Sequence, residues 1–201
     1  MRFIGITGGV GAGKSELLAY MKKHYLCEIW LADEVAHLVK RKGTPCFDRL
    51  VKLLGQDVVD TDGEIDKKVM AERIFADEGI LAQVNAIVHP AVQEFILEKY
   101  EAAKASAKVE LFFVEAALLI EAGYTDLVDE LWYVYADVAV RRRRLAEARG
   151  YSEKKITQIM DSQLSEEEFR KACDFVIDNS GELVDSYRQI DKKLEAFSWR
   201  E

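Results

Sequence analysis

The stretch Gly8-Gly9-Val10-Gly11-Ala12-Gly13-Lys14-Ser15 decides the fold. It runs a glycine, four free positions and then Gly-Lys-Ser, a pattern that average residue frequencies produce in about one per cent of chains this long. Glycines let successive backbone N–H groups turn inward on an anion, at the positive end of the helix that follows. Lys14 would then reach the β- and γ-phosphates of a nucleotide, and the Ser15 hydroxyl would coordinate an accompanying Mg2+. The bland alternative is a glycine-rich turn that binds nothing, and the flanks argue against it. Arg2–Thr7 carries Phe3, Ile4 and Ile6 and reads as a buried strand, whereas Lys14–His24 carries Leu17, Leu18 and Met21 at helical spacing. Strand, glycine loop and helix in that order form the setting that a phosphate-binding loop requires.

Outward from the loop, Glu28–Leu31 is a second short strand, followed by a helix from about Asp33 to Arg41. Gly43-Thr44-Pro45 ends one helix and opens another, with Thr44 as the cap and Pro45 at the first helical position. Gly55–Gly63 is turn-rich. From Lys67 to about Ser106 the pattern is helical, and His89-Pro90 is expected to split it, because proline lacks an amide hydrogen and crowds the preceding turn. Val109–Val114 and Leu131–Tyr135 are continuous apolar runs, typical of strands covered on both faces. Asp137–Arg149 is a basic helix stopped by Gly150, Ser152–Leu164 is another, and Ser165 with Glu168 forms a capping box for a third. Phe175–Ile177 is the last strand, and Ser180 is expected to cap a final amphipathic helix reaching Phe197. Strands alternating with helices predict an α/β fold, a parallel sheet flanked by helices. A single domain over residues 1–201 is expected. Its core takes about 1–35, 107–137 and 173–201. The helical stretches at about 36–106 and 138–172 fall between strands, where a phosphoryl-transfer enzyme of this size carries its acceptor insert and its lid.

Composition narrows the classes. With 201 residues, 49% of them apolar and 10% aromatic, the chain can build a substantial core, which argues against disorder. Its 28 basic and 36 acidic residues leave a net charge of −8, which disfavours bulk attraction to nucleic acid or to an anionic membrane. Cys27, Cys46 and Cys173 are sparse and unpaired in spacing, so they read as buried small hydrophobes rather than a disulfide framework or a zinc site. No signal-peptide pattern and no apolar run approaching a membrane span is seen, so a cytoplasmic protein is expected. Oligomeric state is left open.

Several residues are candidates for chemistry. Asp33 directly follows the second strand, where it could be a base orienting an acceptor hydroxyl or simply the cap of the next helix. Glu115 ends an apolar strand, as either an acidic support for Mg2+ or its water shell, or an exposed carboxylate. Arg141 to Arg144 invite a nucleic-acid reading, but at about 100° per residue only Arg141 and Arg144 share a helix face. One or two of them, or Arg149, suit a lid that neutralises a transferring phosphate, and a solvated basic face is the alternative. His89 is either a helix-junction residue or a substrate contact. A guanine-nucleotide switch would need Asn-Lys-x-Asp, and the chain contains no Asn-Lys. Asp60-Thr61-Asp62-Gly63 lies in a polar turn and reads as chance.

These residues, taken in order, resemble the dephospho-CoA kinase family. The likeness begins at residues 5–15 and Ala32-Asp33 and continues through Glu72-Arg73-Ile74-Phe75, Val88-His89-Pro90, Leu118-Leu119-Ile120-Glu121 and Asp178-Asn179-Ser180-Gly181. It therefore covers nearly the whole chain. The resemblance implies a P-loop kinase fold with helical acceptor and lid insertions, and ATP-dependent phosphorylation of the ribose 3′-hydroxyl of dephospho-CoA, with Mg2+ accompanying ATP. It also implies roles. Asp33 would be the base, His89, Glu115 and Leu118 would touch the acceptor, Arg144 would be the favoured phosphate contact, and Asn179 would lie near the adenine of ATP. Three positions depart from the family's usual pattern: Leu31 replaces an aspartate, Ala117 a proline and Ala148 an arginine.

Overall fold

The computed structural model describes residues 1–198; residues 199–201, which the expected core included, lie outside them. Two compact units emerge. Among the described residues, one comprises 1–29 with 106–198, and the other comprises Trp30–Ala105.

The first unit is built on a five-stranded parallel sheet in the order β2-β3-β1-β4-β5. Its strands are β1 (Arg2–Thr7), β2 (Cys27–Leu31), β3 (Leu111–Glu115), β4 (Glu130–Tyr135) and β5 (Phe175–Asp178). β1 is central, with Ile4 opposite Phe113 of β3 and Glu130 of β4. The apolar runs are continuous because both faces are covered, and Phe112, Phe113, Trp132 and Val134 are wholly buried. Rings interlock across the strands: Phe113 meets Trp132 edge-on at 6.0 Å, and Trp132 meets Phe175 at 5.1 Å.

α1 (Lys14–His24) leaves the glycine loop, and α9 (Leu183–Ser198) packs beside it. Tyr20 and Tyr25 both donate to Asp191 of α9, at 2.8 and 2.5 Å, and Tyr20 stacks on Tyr187. α6 (Val138–Arg149) ends at Gly150 in the left-handed conformation, as expected. Ser152 caps α7 (Glu153–Asp161), and Ser165 with Glu168 forms the expected capping box on α8 (Glu166–Ala172). Ser180 does not cap α9, which starts three residues later. Its hydroxyl instead accepts the Asp137 N–H at the head of α6, at 2.9 Å.

The second unit is helical: α2 (Ala32–Val39), α3 (Pro45–Leu54), α4 (Lys67–Ala76) and α5 (Glu78–Ser106). Thr44 caps α3 through the Phe47 N–H, with Pro45 at its start. Asp60-Thr61-Asp62-Gly63 forms a tight hairpin closed by a Val59–Ile65 bridge, as its turn chemistry suggests.

The expected break at His89-Pro90 is absent, and α5 runs through Pro90. Val84, Ile87, Val88, Val92 and Ile96 form one buried stripe on both sides of the proline. That packing outweighs the single backbone bond the proline removes. The chain breaks earlier, at Asp77, whose backbone is extended and whose carboxylate accepts the Gly79 N–H at 2.7 Å. By length and composition α5 does reach the apolar content of a membrane span, contrary to expectation. Within it Val84, Ile87, Val88, Val92 and Ile96 are buried, whereas Leu81, Glu94, Glu98 and Glu101 lie exposed, so the helix is amphipathic along this stretch.

Burial raises the thiol pKa of Cys27 to about 11 and of Cys173 to about 12, which keeps both protonated and inert.

Candidate active site

Residues 8–15 leave the C-terminal end of the central strand and enter α1, so the loop sits where ligands bind open α/β sheets. Lys14 lies back across this loop: its Nζ donates to the Gly8 carbonyl at 2.7 Å and lies 3.4 Å from Glu115 Oε1, at the end of β3. Glu115 is thus a half-buried ion-pair partner rather than an exposed strand end. Ser15 is exposed in the first turn of α1.

α6 lays two arginines over the loop. Arg141 Nε donates to the Val10 carbonyl at 3.0 Å, and Arg144 donates to Ala12 O at 3.2 Å and Asn179 O at 3.0 Å. A β-carbon on Gly9 would fall on the Arg141 guanidinium, so only glycine permits that approach. Burial pulls the Arg141 pKa below its ordinary value, yet a guanidinium stays charged at neutral pH. Arg142 points away, to Glu153 at 2.8 Å and Thr157 at 3.1 Å on α7. Arg143 and Arg149 are exposed, and hydrogen bonding from Arg149, with the Lys155 charge beside it, lowers the Tyr151 pKa.

Asn179, just beyond β5, is fully buried; its amide donates to Ala12 O at 2.7 Å and accepts from Ser186 Oγ at 2.9 Å. Leu118 is half exposed in the turn after β3.

Two residues of this lattice escaped the sequence. Gln163 Oε1 accepts both from Arg141, at 2.6 Å, and from the Val10 N–H, at 3.2 Å. Ser186 holds the Asn179 carboxamide. Gln163 acts across 153 residues and Ser186 from seven residues away, and neither belongs to a motif.

Asp33 and His89 belong to the second unit. Asp33 is the second residue of α2, exposed, and its side chain does not cap the helix; Leu31 occupies the cap position. Its charge favours the positive end of α2 instead. His89 is half exposed in mid-α5. Among the described residues no group of three or more His, Cys, Asp or Glu could hold a metal ion.

A family model described as dephospho-CoA kinase matches residues 2–185. A dephospho-CoA kinase of Aquifex aeolicus is 37% identical over 195 residues, covering 97% of each chain. Among solved structures, TT1252 from Thermus thermophilus superposes with a TM-score of 0.79 at 28% identity, covering 97% of each chain. A dephospho-CoA kinase from Campylobacter jejuni superposes with a TM-score of 0.71 over 98% of this chain and 96% of its own; at 22% identity it supports the fold alone.

Proposed function

The chain belongs to the dephospho-CoA kinase family, kinases that move a phosphoryl group from ATP to dephospho-CoA, and from that premise we propose how its residues divide the work. The acceptor atom is the ribose 3′-hydroxyl, and the product is coenzyme A. The observation that carries this reading is the lattice of Lys14, Arg141, Arg144 and Asn179 around the glycine loop.

ATP lies with its phosphates on residues 8–15, with Arg149 a further cation of the lid and Asn179 beside the adenine. Lys14 exchanges the Gly8 carbonyl and Glu115 for phosphate oxygens, a swap of one anionic partner for another that keeps the ammonium paired and frees the Glu115 carboxylate for other contacts. Asp33 accepts the proton of the 3′-hydroxyl, or orients it, as the hydroxyl attacks in line. Arg141 and Arg144 screen charge that develops on the transferring group. His89, Leu118 and Glu115 touch the acceptor. The Ser15 hydroxyl and Glu115 carboxylate are hard oxygen donors of the kind Mg2+ takes, Glu115 acting directly or through water. Mg2+ bound there supplies neutralisation of the phosphate oxygens. The helices from 138 to 172 serve as the lid and residues 36–106 as the acceptor insert, in a cytoplasmic enzyme whose partners are small molecules rather than nucleic acid or membrane.

The test is ADP release in Mg2+ and ATP, with dephospho-CoA, adenosine, AMP or CMP as acceptor. Release stimulated by dephospho-CoA alone, with a 3′-phosphorylated product by mass, is the expected result. Stimulation by another acceptor instead, or by none, overturns the reading.

A further inference from the structure

The second unit holds a cavity of about 350 Å3, large enough for part of a nucleotide, between the end of α2, the 59–65 hairpin and the start of α4. Lys40, Arg41 and Lys67 line it, with His37, Glu64 and Met70 between them. Three cations thus face one carboxylate, and that carboxylate is already engaged, since Glu64 Oε2 accepts the Lys42 N–H at 3.1 Å. Among the described residues neither Lys40 nor Lys67 forms an ion pair with a carboxylate. Lys67 is also the first residue of α4, so the positive end of that helix adds to the field.

Lys40 is half-buried while Arg41 and Lys67 are exposed beside it, and a partly desolvated cation without a counter-charge is costly unless an anion completes it. Burial, with the Lys67 charge beside it, pulls the Lys40 ammonium below its ordinary pKa, and burial followed by the Lys40 and Lys67 charges does the same to His37. The Asp33 carboxylate opposes both shifts, which puts it within electrostatic reach of the same wall. Positions 33, 37 and 40 are spaced i, i+4 and i+7, one face of α2, with Asp33 about 10 Å along the axis from Lys40.

We propose that this cavity is the subsite for the acceptor's 5′-linked diphosphate, held by Lys40 and Lys67, so that the ribose of the same nucleotide presents its hydroxyl to Asp33. The inference rests on the acceptor reading above and adds the residues that select for a phosphorylated acceptor. A nucleoside without phosphates leaves these cations unpaired, and that difference is the discrimination.

Steady-state kinetics with Lys67→Ala, Lys40→Ala and Lys67→Arg test it, each variant first checked for an unchanged melting temperature. Lys67 is exposed, so its replacement leaves the core untouched. The expected result is a KM for dephospho-CoA raised about 10- to 100-fold in either alanine variant. The KM for ATP stays within about threefold, and Lys67→Arg recovers most of the loss. Inorganic pyrophosphate competes with dephospho-CoA at saturating ATP, and competes about tenfold more weakly in the alanine variants. An unchanged KM for dephospho-CoA, or an equal rise in the KM for ATP, overturns the subsite while leaving the acceptor reading intact. If the wild-type protein does not turn over dephospho-CoA at all, the acceptor reading fails separately. Pyrophosphate titration with the glycine loop filled by a non-hydrolysable ATP analogue then decides the cavity: binding lost in Lys67→Ala supports an anion site, and binding unchanged refutes it.

Discussion

Gly13→Ala is the most informative single substitution in the loop. Gly13 has φ +92° and ψ 22°, a left-handed conformation that costs a residue with a β-carbon about 1–2 kcal/mol. The added methyl would fall on the Asn179 amide nitrogen and lie 3.4 Å from Arg144 Nη1. Asn179 must then give up its 2.7 Å bond to Ala12 O in a fully buried setting, at a cost of about 1–3 kcal/mol. Alanine recovers about 0.4–1 kcal/mol by restricting the unfolded chain. The net loss is about 3 kcal/mol, which for a chain of this size lowers Tm by about 6–12 °C. Calorimetry with Gly13→Ala, Asn179→Ala and the double variant separates the two contributions. With Asn179 truncated the clash is gone, so Gly13→Ala should then cost only its backbone part, giving a coupling of about 1–3 kcal/mol. A loss below about 0.5 kcal/mol, or strict additivity, would refute the claim that Gly13 is glycine because of Asn179.

Three further outcomes are expected. Asp33→Asn keeps ATP affinity, measured by titration calorimetry, and lowers kcat by about 100-fold or more, as loss of a general base does; near-normal turnover removes Asp33 from that role. Lys14→Ala weakens ATP binding and slows transfer together, and unaltered kinetics would count against the phosphate role of the loop. The pair Tyr20 and Tyr25 on Asp191 makes the fold sensitive to alkali. Burial, then the bond to Asp191, raises Tyr20 to about 12, and the same causes raise Tyr25. Raised folded-state pKa values favour the protonated form, so this contribution is complete below about pH 10, the unfolded value, and is lost as the pH climbs through about 12. Denaturant melts should show unfolding free energy falling over that window, and falling less in a Tyr20→Phe, Tyr25→Phe double variant; equal slopes would exclude the pair.

Local chemistry explains which elements were legible in the sequence. The glycine loop, the Thr44-Pro45 start, the Ser165–Glu168 box and the Gly150 stop each place donors and acceptors within four residues of one another, and each appears as expected. Pro90 misled because its cost is one backbone bond, whereas the buried stripe from Val84 to Ile96 that carries α5 across it depends on partners distant in sequence. The cap expected of Ser180, and the cap alternative for Asp33 beside its reading as a base, rest on residue type alone. The cap position of α2 falls on Leu31, and Ser180 serves the head of α6, 43 residues away. Gln163 carried no signal, because a side chain that braces a loop from 153 residues away leaves no spacing to read, and Ser186 none because a serine seven residues from Asn179 matches no motif.

The charge arrangement also separates what a whole-chain number describes from what a site needs. A net charge of −8 speaks to bulk attraction and solubility. The glycine loop, in contrast, carries Lys14, Arg141 and Arg144 within a few ångströms, their positive charge directed at main-chain carbonyls, Gln163 and the Glu115 carboxylate. Carbonyl oxygens are partial charges, so the lattice is held in place without being neutralised. On the proposed reading, Arg141 and Arg144 would keep most of their attraction for phosphate with their geometry already set, and ordering them would consume little binding energy. Arg142 is the contrast within the same helix: its partner is Glu153, a full counter-charge at 2.8 Å, and that pairing ties α6 to α7 rather than leaving a cation for substrate. Arg141 and Arg144 thus differ from Arg142 in partner type, and the division follows from the 100° step of the helix that carries them.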